Sequence, residues 1–351
     1  MKLASAVIAL LSTLATTTNA SFACTTACFQ GKGGPIITKS YDWHTSEGLV
    51  IVNKAGVKKS AFTLGAGTPA EWTSKYASVT FNQYGREMPN GGMNTAGLVV
   101  EVMWLAETET PPPDARPSIS ELQWIQYHLD NCSNIGEVIR SAPRLRVDKI
   151  YGAVHYLACD KAGACAALEY LRGKLVVTTG DQLTAPVLAN DTYERSQAYL
   201  KTHQGFGGTQ SPRNTARSLD RFTRAADYNR KYAGQATVAG GFELLDRVSQ
   251  GQFTVWQLVY EPQSLLVHFR TRDQKHIKTI DLRQIDPSCT APVQVFDMNS
   301  PLMGDISPHI QTYQIAHNRR LIRRSLSKLR GMPSFLHLVV AGYPEQTICL
   351  K

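Results

Sequence analysis

A cysteine at position 24 stands behind a short basic start at Lys2, an almost wholly apolar or small stretch at 3–14, and Ser21-Phe22-Ala23, whose small residues occupy the two positions a signal peptidase inspects. Cleavage after Ala23 would make Cys24 the first residue and join a thiol and a free α-amine on it. A thiol is a weak nucleophile until it loses its proton, and an α-amine with an ordinary pKa of about 7.7 to 8.0 can take that proton near neutral pH. One residue then supplies nucleophile and base. The chemistry it suits is acyl transfer, in which thiolate attacks an amide carbonyl, the amine departs and water hydrolyses the thioester. Such a site also needs donors for the tetrahedral oxyanion, usually Asn side chains and backbone amides, each worth roughly 3 to 4 kcal/mol.

The leader has competing readings. A cut after Ala20 would require later trimming of Ser21, Phe22 and Ala23. Lipidation of Cys24, as in a bacterial lipoprotein, favours a branched apolar residue three places earlier, where this chain has Ser21. The apolar stretch is too soon followed by Thr16, Thr17, Thr18 and Asn19 to be a convincing membrane span. The expected organisation is a signal peptide at 1–23 and a single domain at 24–351, exported to the periplasm or secreted.

Cysteine usage fits export. Seven cysteines are an odd number, so six could pair in an oxidising compartment and one stay free, for which Cys24 is the choice. Cys159 and Cys165 flank a hairpin-like turn, Asp160-Lys-Ala-Gly163, that could bring their sulfurs together. The other pairings stay open. The net charge of +9 is spread along the chain except for Arg319, Arg320, Arg323 and Arg324, which read as a solvated helix face rather than a nucleic-acid site.

Apolar alternation predicts strands near 35–41, 49–53, 77–82, 98–104, 152–159, 164–171, 174–179, 254–261 and 264–271. Helical patterns lie at 118–129, 134–141, 192–203, 214–228 and 242–249, the first opening on Ser118-Ile-Ser-Glu121, the spacing of a capping box. Groups of strands joined by short turns, interleaved with groups of helices, predict an α+β fold with antiparallel pairing. The 108–113 and 205–208 stretches read as surface loops, and no internal repeat or phosphate-binding glycine loop is present.

The ordered set Cys24-Thr-Thr, Thr38-Lys-Ser-Tyr-Asp-Trp43, Phe81-Asn-Gln, Gly91-Gly-Met-Asn94, His155-Tyr-Leu-Ala-Cys-Asp160, Val187-Leu-Ala-Asn190 and Ser218-Leu-Asp-Arg-Phe222 resembles the choloylglycine hydrolase and penicillin V acylase family of N-terminal-nucleophile hydrolases. The resemblance runs from Cys24 to about Thr271. It implies a four-layer αββα sandwich and hydrolysis of a linear amide C–N bond. Cys24 matches the nucleophile, Asp42 the carboxylate that holds its amine, Asn190 the side-chain oxyanion donor and Arg221 the arginine of the charge network. Lys39 stands where most members carry arginine: it keeps the positive charge that lowers a thiol pKa and loses the planar fork.

The second oxyanion position falls on Trp104, with its backbone N–H as the donor and with Met103 and Asn94 as neighbouring substrate contacts. Trp104 argues against a close bile-salt hydrolase match. The resemblance further implies penicillin V-like aryloxyacyl amides or N-acyl amines, including acyl-homoserine lactones, as substrates, and self-association as a homo-oligomer.

Each residue also has a plain structural reading. Asp42 also reads as a turn aspartate beside Trp43, Arg221 as a helix-surface arginine, and Trp104, Met93 and Met103 as core. Asn190 begins a glycosylation sequon with Thr192, as Asn131 does with Ser133, or serves only to start a helix. His44, His128, His155 and His268 lie singly among apolar residues and read as core or turn histidines; no pair has metal spacing, and the chemistry requires neither metal nor cofactor. Two other classes stay open: a lipidated or periplasmic binding protein without catalysis, and an acyltransferase passing the acyl group to an amine.

Overall fold

The computed structural model describes residues 24–65, 67–328 and 334–350, so the expected leader at 1–23 lies outside the described residues. Two large sheets form the centre. The first runs, in spatial order, β10 (Val187–Leu188), β1 (Thr25–Gly31), β2 (Gly34–Asp42), β11 (Thr254–Glu261), β12 (Leu266–Thr271), β13 (Lys278–Asp281) and β15 (Gly304–Asp305). The second runs β9 (Lys174–Thr179), β8 (Cys165–Leu171), β7 (Val154–Cys159), β6 (Val99–Trp104), β5 (Gly91–Asn94), β4 (Ser78–Asn82), β3 (Leu49–Asn53), β14 (Gln294–Asp297) and β16 (Gln311–Thr312). Pairing is antiparallel except between β13 and β15.

Side-chain alternation turns these sheets into four layers. Along β6, Val99 and Met103 enter the core shared with the first sheet, while Val100 and Val102 enter a second core with Trp124, Ile125 and Leu129. Those three belong to α1 (Gln123–Asn131), which covers the outer face of the second sheet with α2 (Ile135–Ser141). The outer face of the first sheet carries α4 (Ser218–Lys231) and α5 (Val238–Val248), with α3 (Tyr193–Leu200) against α4. The fold is an α+β, αββα sandwich, and both faces of its central strands are buried, which is why those strands read as near-continuous apolar runs.

The expected strands are all present, with ends shifted by a residue or two. The helix expected from residue 118 is not. Ser118–Ile119 pairs with Arg146–Val147 as a short strand, and α1 begins only at Gln123. Tertiary partners outcompete the capping box: the Glu121 carboxylate accepts from the backbone N–H groups of Ile150, Tyr151 and Gly152 at 2.8, 2.9 and 2.7 Å. At the far end, α6 (Ile315–Leu326) exposes Arg319, Arg320, Arg323 and Arg324 as a solvated face, and α7 (Ser334–Gly342) follows.

Cys159 and Cys165 form the expected disulfide across the β7–β8 hairpin, and a second joins Cys289 to Cys349. Cys24, Cys28 and Cys132 are free, three thiols where pairing by number alone would leave one. Among the described residues no helix is long and apolar enough to cross a membrane.

Candidate active site

Cys24 sits at the mouth of β1, and the register of the first sheet decides what surrounds it. Thr26 opposes Lys39 and Thr25 opposes Ser40, so Cys24, Thr26, Lys39 and Tyr41 share the face toward the second sheet. Thr25, Ser40 and Asp42 share the face toward α4 and α5. The positive charge of Lys39 is thereby placed on the thiol's side, and the carboxylate of Asp42 on the helix side.

Asn190 and Arg221 close the arrangement. The Cys24 nitrogen donates to Asn190 Oδ1 at 2.9 Å, and the same oxygen accepts from Arg221 Nη2 at 2.6 Å. Arg221 Nη1 donates to the Cys24 carbonyl at 2.8 Å and to Thr25 Oγ1. Asn190 in turn donates through Nδ2 to the Trp104 carbonyl at 2.8 Å and through its backbone N–H to Ser218 Oγ at 2.8 Å. A fully buried guanidinium with this many acceptors is a fixed strut rather than a surface arginine.

Asp42 acts through both its backbone and its side chain. Its carboxylate accepts from Gln250 at 2.7 Å, Ser40 at 3.2 Å and Thr254, while its backbone N–H donates to the Cys24 sulfur. The register slip between Thr254 and Trp256 in β11 turns Thr254 toward Asp42. Burial pushes the Asp42 carboxyl up, and Arg221 and the three donors hold it down.

Burial also pushes the Cys24 thiol up; the Lys39 ammonium pulls it back, Asp42 raises it, and the Asp42 N–H and Arg221 lower it. The thiol therefore stays protonated at neutral pH until a base removes its proton.

The thiol opens into a cavity of about 940 Å³ that includes part of its own mouth. Its walls are largely apolar: Trp43 and Trp104, with ring centroids 6.2 Å apart, then Phe62, Met88 and Met103, and Leu326 and Val340 from α6 and α7. Leu105 N–H bonds to Ala153 O across to β7, so alternation points the Trp104 N–H and C=O the other way, past the end of β5.

Cys24, Asp42, Met103 and Trp104 line this cavity, and Lys39, Asn190 and Arg221 stand behind it. Asn94 does not belong there. Its Nδ2 donates to the carbonyls of Leu129 and Cys132 at 2.7 Å each, and its Oδ1 accepts from Ala96 and Leu98, so it ties the β5–β6 turn to the end of α1. The substrate contact expected of Asn94 is corrected to a structural one.

His155, read as a core histidine, props the site from behind: Nδ1 meets Glu169 Oε1 at 3.0 Å and Nε2 meets the carbonyl of Ala189, beside Asn190, at 2.9 Å. Sequence reasoning passed over Glu101, although a single carboxylate inside an apolar strand is a visible anomaly. Among the described residues, Cys28, Cys159 and Cys165 are the group spaced for a metal, and two of these sulfurs are joined as a disulfide.

No family model matches the chain. A penicillin V acylase from Pectobacterium atrosepticum is 28% identical over 299 residues, 72% of this chain and 78% of that protein. The structure of penicillin V acylase from Agrobacterium tumefaciens superposes with a TM-score of 0.74 at 25% identity, covering 83% of this chain and 98% of that one. A variant of conjugated bile acid hydrolase from Clostridium perfringens shares the fold, with a TM-score of 0.68 at 17% identity over 80% and 98% of the two chains. With its αββα layers and its ordered motifs, this chain is similar to the penicillin V acylases, and that likeness supports the choloylglycine hydrolase and penicillin V acylase family of linear amide C–N hydrolases.

Proposed function

We propose that the protein is an exported cysteine N-terminal-nucleophile hydrolase that cleaves the amide of an apolar, aryl-bearing acyl group. The observation that carries this reading is the Cys24 backbone nitrogen, already bonded to Asn190 while the Cys24 thiol lines an apolar cavity. Removal of residues 1–23 turns that nitrogen into an α-amine without moving it. The amine takes the thiol proton, and the thiolate attacks the acyl carbon. The Asn190 amide and the Trp104 N–H serve the resulting oxyanion. The ammonium then returns its proton to the departing amine, leaving a thioester on Cys24. Water, deprotonated by the same amine, releases the acid and restores the cysteine.

Trp43 and Trp104 favour flat acyl groups such as the aryloxyacetyl group of penicillin V, and the rest of the apolar wall suits the chains of N-acyl amines and acyl-homoserine lactones. Bile salts are less favoured. The test is mass spectrometry of the exported protein with hydrolysis assays on penicillin V. A start at Cys24 is expected, Cys24→Ser should lose turnover while keeping its thermal melt, and a form retaining Ala23 should fold and remain inactive. Undiminished turnover by either altered form would overturn the mechanism.

A further inference from the structure

Glu101 is a buried carboxylate that the reaction does not use directly. It lies on β6 between Val99 and Met103, on the face toward the first sheet, and is 1% exposed. Its Oε2 stands 3.7 Å from Lys39 Nζ, and its Oε1 accepts from the Tyr260 hydroxyl. Lys39 also donates to the Val102 carbonyl and lies 3.3 Å from Met103 Sδ. The carboxylate has a dedicated space. Gly91 pairs with Glu101 across β5 and β6, and a Cβ at Gly91 would come within 2.3 Å of Glu101 Oε2.

We propose that Glu101 is a positioning residue for the nucleophile: it anchors the Lys39 ammonium between the two sheets, and that ammonium supplies the positive charge nearest in effect to the Cys24 thiol. The proposal rests on the reading of Cys24 as nucleophile. Lys39 is the first of the charges that lower the thiol pKa. An ammonium buried in this space without a counter-charge would be costly to keep there, and the Glu101 carboxylate offsets that cost. The neighbouring titratable groups are Tyr41 and Tyr260, both pushed well up by burial and so neutral, which leaves the carboxylate as the anion against Lys39. Burial pushes Glu101 itself up to about 7, with Lys39 and Tyr260 holding it down, so the ion pair is fully formed on the alkaline side of neutrality.

This division of labour also explains lysine at position 39. Its ammonium has one carboxylate and one carbonyl to satisfy, a task for a compact point charge rather than a planar fork.

The experiment is iodoacetamide alkylation of Cys24 in the processed protein as a function of pH, with the modified peptide resolved by mass spectrometry from those of Cys28 and Cys132. Glu101→Gln should move the rate profile to higher pH, lowering the alkylation rate at pH 7 by about tenfold, the equivalent of one pKa unit. Glu101→Asp should recover part of the loss. On a Lys39→Met background, which shows the shift by itself, Glu101→Gln should add nothing further. A Glu101→Gln profile that superimposes on the unmodified protein, or an undiminished effect on the Lys39→Met background, overturns the proposal. If Glu101→Gln fails to fold, the Lys39→Met profile decides, since an unshifted curve removes the charge the anchor is meant to hold. Alkylation needs no substrate, so its outcome is independent of whether penicillin V is turned over.

Discussion

Asn190 Oδ1 stands 2.9 Å from the Cys24 nitrogen while Asn190 Nδ2 is 2.8 Å from the Trp104 carbonyl, so one amide fixes the base and the cavity wall together. The oxygen end orients the Cys24 nitrogen, which in the proposed mechanism accepts the thiol proton. In that mechanism the nitrogen end gives its second hydrogen to the oxyanion. The backbone beneath it is held by Ser218 and, through Ala189, by His155.

The two ends can be separated by substitution. Asn190→Asp keeps the acceptor for Cys24 and Arg221 and deletes the donor, so kcat should fall roughly 10²- to 10³-fold with KM changed only a few-fold. Asn190→Ala, which deletes both, should fall further. Steady-state kinetics on penicillin V would check this, and an effect confined to KM would show that the amide serves ground-state binding instead.

The C-terminal helices form one wall of the cavity, and the Cys289–Cys349 bridge fastens the segment that follows them. Leu326 and Val340 meet the cavity, Asn318 Nδ2 holds the Ala341 carbonyl at 3.1 Å, and Gln123 Nε2 reaches the Tyr343 hydroxyl at 2.7 Å. The bridge spans a sequence separation of 60, for which loop-closure entropy predicts about 4 kcal/mol of stabilisation. Cys349→Ser should lower the melting temperature and raise KM for apolar acyl amides by about threefold to tenfold, in line with partial exposure of a Leu and a Val. Unchanged KM in a protein that melts earlier would mean that the wall stands without its fastening.

Acid should weaken the second core through His128. This ring is fully buried, with Nδ1 2.7 Å from the Trp124 carbonyl and its centroid 3.8 Å from the Trp124 ring, and burial pulls it down to about 4 from 6.5. Above pH 6.5 both folded and unfolded chains hold it neutral. Between 6.5 and about 4 only the unfolded chain binds the proton, so stability falls with pH, by about 3 kcal/mol across that window. Urea unfolding at pH 7 and pH 4.5 should show His128→Gln losing less stability than the unmodified protein. An equal loss would place the acid sensitivity elsewhere.

Much of the sandwich is legible in the chain because its strands are buried on both faces and bounded by short turns. Runs such as 49–53 and 254–261 coincide with β3 and β11. The ordered motifs around Cys24, Asp42, Asn190 and Arg221 pointed to residues that the fold gathers around one nitrogen and one thiol. Local spacing failed where a distant partner had more to offer. Glu121 satisfies three loop amides instead of capping a helix, and Asn94 ties a turn to α1 instead of facing substrate.

By itself the sequence determined the strand periods, the hairpin turn that Cys159 and Cys165 flank, and the cysteine able to do acyl-transfer chemistry behind a leader-like segment, since these follow from neighbouring residues. Tertiary structure alone decided which face each group occupies. Register placed Lys39 on the thiol side and Asp42 on the helix side, sheet stacking brought Glu101 against Lys39 and Tyr260, and the chain's last helices completed the cavity. Those outcomes depend on which strands lie opposite one another across a buried interior. There an uncompensated charge costs several kcal/mol, so partners far apart in sequence must be found.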